Sequence, residues 1–93
     1  RLLEKICTVE ERAHLPQTAL GRAQAWAAKE AVAKTLGTGF WQVGVEWTDV
    51  RLGSDWSVEL AGRAREVAGP CRVELEFCED GEYLIATALR WST

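Results

Sequence analysis

Ninety-three residues with 47% hydrophobic and 27% charged content describe one small soluble domain with a single core, too apolar for disorder and too interrupted by charge for a membrane span. Eleven basic against 14 acidic residues, a formal charge of -3, leave no basic field for non-specific nucleic-acid binding. Cys7, Cys71 and Cys78 form no C-x-x-C pair and accompany a single histidine, His14. Neither a disulfide framework nor a zinc site is legible, and a reducing, cytoplasmic setting with small buried thiols and a solvated imidazole is expected.

The chain opens "RLLEK" with no initiator Met, signal peptide or transit-like segment, and the expectation is a piece of something longer. In "TVEERAHL", Thr8 and Glu11 have the spacing of a capping box, which predicts a short helix from about Val9 to Leu15, stopped by Pro16. The run "TALGRAQAWAAKEAVAKTL", from about Thr18 to Leu36, is rich in strong helix formers, and Gly37 is placed to end the helix in the left-handed conformation. Alternating β-branched and aromatic residues follow. "VGVEWTDVRL" and "WSVEL", joined through Gly53, Ser54 and Asp55, predict a hairpin whose register shifts near Asp49, the mark of a bulge. "AGRAREVAG" predicts two helical turns closed at Gly69-Pro70. "CRVELEF" and "YLIATALRW" then predict a second hairpin across "CEDGE", with Asp80-Gly81 as the turn. Alternation puts Val73, Leu75 and Phe77 on one side of its first strand and Arg72, Glu74 and Glu76 on the other. The expected fold is α+β, an antiparallel sheet whose apolar face is packed by the long helix.

On that helix Trp26, Glu30 and Lys34 form one line at four-residue spacing, while Ala28, Val32 and Leu36 form a core line. By spacing alone Glu30 and Lys34 make an ordinary surface ion pair, Gly37-Thr38-Gly39 a helix end and loop, and the five tryptophans core filler. Residue physics stops at a soluble α+β domain.

The stretch "WAAKEAVAKTLGTGF" resembles the W/F-x-x-K-E-[AS]-x-x-K-x-x-G-x-G-[LF] signature of the 4'-phosphopantetheinyl transferases, and the resemblance extends over nearly the whole chain. It implies transfer of the phosphopantetheine arm of coenzyme A to a serine of an acyl or peptidyl carrier protein, releasing adenosine 3',5'-bisphosphate. Carried over by position, it makes Glu30 a Mg2+ ligand and candidate general base, and Lys34 a contact to the phosphates of coenzyme A. Lys29 then touches the nucleotide or is simply solvated, and Trp26 is packing that fixes the helix.

Two departures bear on the branch. The family's upstream G-[IV]-D metal motif would lie before Arg1, and Glu30 alone makes a poor magnesium site. The S-H-x-x-x-x-A motif of the small trimeric carrier-protein synthases has Cys78 and Glu79 at its Ser and His positions, and a carboxylate cannot replace an imidazolium against phosphate. Together with Trp26, this resembles the second lobe of a two-lobed surfactin-type transferase, residues 1–93 forming one lobe that needs an N-terminal lobe, in the setting of a large polyketide synthase. The fragment alone is expected to transfer nothing. The competing readings are a non-catalytic docking or structural member of the same fold, a self-sufficient trimeric synthase, and an unrelated α+β interaction domain.

Overall fold

A computed structural model of the chain describes residues 2–37 and 44–93. Gly39, Trp41 and the first residue of the expected strand, Val43, lie outside the described residues. The chain starts with a helix that was not expected, α1 (Leu2–Ile6). Helix α2 (Val9–His14) begins as its capping box requires: Thr8 Oγ1 accepts from the Glu11 amide at 3.1 Å, and Glu11 Oε1 accepts from the Thr8 amide at 2.8 Å. In α3 (Ala19–Thr35) Thr18 Oγ1 caps the first turn through the Gly21 amide at 3.0 Å. Gly37 closes the helix at φ +78°, a conformation that costs a residue without a Cβ little.

The expected strand before Asp49 is instead a 3-10 turn, Trp47–Asp49. Asp49 Oδ2 accepts from the Glu46 amide at 3.2 Å, and such local side-chain bonding competes with a strand ladder. The register change near Asp49 is this turn rather than a bulge. Strand β1 is Val50–Leu52 and pairs antiparallel with β2 (Val58–Leu60), Leu52 opposite Val58. Between them Trp56 sits at φ +64°, where a bulky residue is strained. Its ring packs edge-on against Phe77 at 5.1 Å between centroids.

Helix α4 (Gly62–Ala68) ends at Gly69, φ +69°, before Pro70. Strands β3 (Cys71–Asp80) and β4 (Tyr83–Ser92) form the second antiparallel pair. The two-residue loop is Gly81-Glu82, one position later than expected, because Asp80 still pairs with Tyr83. Gly81 takes φ +63° and Glu82 does not share the positive sign, the pattern of a type II′ turn.

Val73, Leu75 and Phe77 of β3 and Leu84, Ala86 and Ala88 of β4 occupy one face of the ribbon, with Arg72, Glu74 and Glu76 on the exposed face. Helix α3 packs along β4, the layer arrangement expected. The core holds Leu3, Ile6, Cys7, Leu15, Ala25, Ala28 and Leu52 at one end, and Val32, Leu36, Val45, Val50 and Ala64 at the other. Burying each of the larger aliphatics is worth roughly 1.5–3 kcal/mol. Arg90 donates to Thr35 O at 2.9 Å and to Ala68 O at 3.3 Å, joining the carbonyl ends of α3 and α4 through a cation where their dipoles favour one. Among the described residues no helix is long and apolar enough to cross a membrane.

Candidate functional site

The packing of α3 along β4 leaves a groove of about 570 Å³ whose rim carries Glu30 and Lys34, with Ala27 and Ala31 on the helix side and Leu84 to Ala88 along the strand. Alanines on the helix and at positions 86 and 88 keep the floor low. Both charged side chains are exposed. The Glu30–Lys34 ion pair allowed by the spacing does not form. The ion pairs of the described residues include Arg12–Glu4, Lys29–Glu11, Arg63–Glu66 and Arg72–Glu74, and neither Glu30 nor Lys34 joins one. A carboxylate and an ammonium, both uncommitted, therefore stand one helical turn apart beside the groove. The strand below them is the edge of its two-stranded sheet among the described residues.

Lys29 is neither at this groove nor solvated. It is 0% exposed, and its Nζ donates toward Ile6 O at 2.6 Å, Glu11 Oε1 at 3.0 Å, Trp47 O at 3.0 Å and Val50 O. An ammonium has three protons, so these acceptors saturate it and leave nothing for a nucleotide. The physical reason lies in helix geometry. Lys29 follows Ala25 by four residues and precedes Val32 by three, which puts it on the core face, about 100° round from Glu30.

The partner, Glu11, does more than cap α2. Besides that role its Oε2 accepts from the Leu52 amide at 2.8 Å, so one carboxylate caps α2, holds β1 and neutralises Lys29. A lysine interrupting the apolar face of an Ala-rich helix, with a glutamate elsewhere on a short capped helix, was the available signal. Trp26 packs as expected, its ring 5.2 Å from that of Trp47 and tilted by 50°.

His14, although exposed, is not simply solvated, since its Nε2 donates to Leu52 O at 2.8 Å. Of the thiols only Cys7 is buried; Cys71 is half-buried and Cys78 exposed. Burial pushes the Cys7 thiol above its ordinary pKa against the opposing pull of the Lys29 charge. Cys78 faces outward opposite Ile85, while alternation puts Glu79 on the α3 side of the ribbon, beside the turn.

A larger groove, about 760 Å³, separates β2 from β3 and mixes Glu59, Glu74 and Glu76 with Arg65 and Arg72. It contains none of the expected residues. Among the described residues no three His, Cys, Asp or Glu side chains converge as a metal site. Glu30 is, among the described residues, the single acidic side chain lining the α3–β4 groove. It fits a magnesium ion as one ligand, with substrate phosphates and water to supply others.

The family model of the 4'-phosphopantetheinyl transferase superfamily matches residues 1–88. This chain belongs to that superfamily. Among curated relatives of the superfamily member, a holo-[acyl-carrier-protein] synthase of Vibrio vulnificus strain YJ016 is 35% identical over 96 residues, covering 92% of this chain and 75% of that protein. Similarly named proteins of Solidesulfovibrio magneticus and Hydrogenovibrio crunogenus are 46% and 39% identical, covering 82% and 69% of this chain. This transferase-family chain spans 59% and 55% of their lengths. No solved structure gives a significant match.

Proposed function

We propose that this lobe takes part in moving the 4'-phosphopantetheine arm of coenzyme A onto a serine of an acyl or peptidyl carrier protein. The observation that carries the reading is the placement of Glu30 and Lys34: exposed, unpaired and side by side on one groove of a chain whose family and curated relatives carry this chemistry. The serine Oγ attacks the phosphorus that bears the pantetheine arm, its proton passes to a base, and the bond to adenosine 3',5'-bisphosphate breaks. Attack on a pyrophosphate needs its negative charge neutralised as the leaving phosphate separates. Lys34 supplies a point charge toward the phosphates. Glu30 accepts the serine proton, directly or through water, and is one ligand of Mg2+. A Mg2+ held by Glu30 would supply neutralisation of phosphate charge there. Lys29 is not a nucleotide contact in this scheme.

One carboxylate is a thin ligand set, so an upstream lobe or segment completes the site. Among the described residues β4 is a sheet edge, to which an added strand could bond. Residues 1–93 thus act as one lobe of a larger transferase in the cytoplasm. The second reading, a non-catalytic docking member of the same fold, is favoured by the lone acidic side chain in the groove and by Glu79 beside the turn.

The test is a transfer assay with the intact protein, apo carrier protein, coenzyme A and Mg2+, read by the mass gain on the carrier. Glu30→Gln lowers turnover by about 100-fold or more and Lys34→Met raises the KM for coenzyme A. Wild-type rates in both variants would leave the docking reading standing.

A further inference from the structure

Lys29 is the charged side chain that α3 turns inward, and the transfer scheme gives it no step. Its neighbours on that face, Ala25, Ala28 and Val32, are small and fully buried. A smooth alanine surface gives a packed helix little to fix its roll or its position along a sheet, because interlocking ridges are shallow there. Directional bonds must supply what packing does not. Among the described residues two sets reach α3 from other elements. Arg90 holds the C-terminal end through Thr35 O at 2.9 Å. In the middle, the Lys29 ammonium is pinned by carbonyls of α1, the 3-10 turn and β1, and by the α2 carboxylate. Glu30 is the next residue, so its direction over the groove follows from where that ammonium is held.

We infer that Lys29, together with Glu11, is a positioning residue. It sets the roll of α3 and so aims the Glu30 carboxylate over the β4 groove, touching no ligand itself. Lys34 lies next to the end held by Arg90 and depends on Lys29 less. The catalytic consequence rests on the transfer reading above; the geometric one does not.

The test uses the intact protein and the double substitution Lys29→Met with Glu11→Gln, which leaves no stranded charge. Lys29→Arg serves if that variant fails to fold, since a planar fork cannot reproduce the point-charge contacts. A crystal structure and steady-state kinetics are read together. Expected are a displacement of Glu30 by about 1 Å relative to β4, a fall in turnover on the order of 100-fold, and a higher Mg2+ requirement. The KM for coenzyme A changes little. Glu30 found in its wild-type place overturns the inference, and so does a displaced Glu30 with unchanged turnover. A wild-type protein that transfers nothing overturns the transfer reading instead, and the position of Glu30 in the variant still decides what Lys29 does.

Discussion

Replacing Lys29 alone by methionine breaks the buried ion pair from one side. The Glu11 side chain is 3% exposed, so the substitution strands a carboxylate away from water with only the Thr8 and Leu52 amides to hold it. Three backbone carbonyls, those of Ile6, Trp47 and Val50, lose a donor at the same time. Breaking a buried pair by removing one member costs about 3–5 kcal/mol, against a total stability on the order of 5–15 kcal/mol for a domain. In urea, followed by tryptophan fluorescence, the midpoint should fall by at least about 1 M with little change in slope. The melting temperature should fall by about 12 °C or more. Adding Glu11→Gln removes the stranded charge and should leave only the carbonyl deficit, about 1–3 kcal/mol. A loss below about 1 kcal/mol for Lys29→Met, or a double variant no more stable than the single one, would refute the account of this cluster.

Gly21→Ala should destabilise by about 1 kcal/mol or more in thermal unfolding, although alanine is the better helix former, because its Cβ would collide with the Pro16 backbone and ring. With an aromatic disulfide reagent at mildly alkaline pH, Cys78 should react promptly and Cys7 only as fast as the protein opens, given the burial of Cys7 and its raised pKa; equal rates would contradict the buried placement. The Asp55 carboxylate is held below its ordinary pKa by the hydroxyl and amide of Ser57. The sign follows from linkage: a depressed folded pKa gives stability that is complete above the unfolded value, about 3.9, and lost as pH falls through the folded one. Asp55→Asn should therefore flatten the acid side of the pH–stability curve, and an unaltered acid limb would count against the bond.

The elements that were legible in the sequence are those whose signals are local. The Thr8–Glu11 box, the Ala-rich run ending at Gly37 and the alternation in "CRVELEF" each need only a few neighbours, and each appears where its residues placed it. Helix α1 is five residues long, too short for a helical period to announce it. The strand expected before Asp49 lost to a tight turn stabilised by that aspartate's own side chain. Of the candidate site, the helical line gave Glu30 and Lys34 their common face, and the structure adds the β4 groove beneath them. The signature says nothing of which way Lys29 points, whereas the helical period does. Counting from Ala25 and Val32 places it inside, and its partner, Glu11, could not be found by any local rule.

The Lys29–Glu11 cluster also bears on time rather than place. Its bonds join residues 18 to 41 positions apart in the chain, so α1, α2, α3, the 3-10 turn and β1 must already be close before any of them is rewarded. Contacts of that kind are expected to consolidate late, which a φ-value near zero for Lys29→Met would show. Their strength then slows escape from the native state more than it speeds arrival, and loss of the Lys29 ammonium should show mainly as faster unfolding.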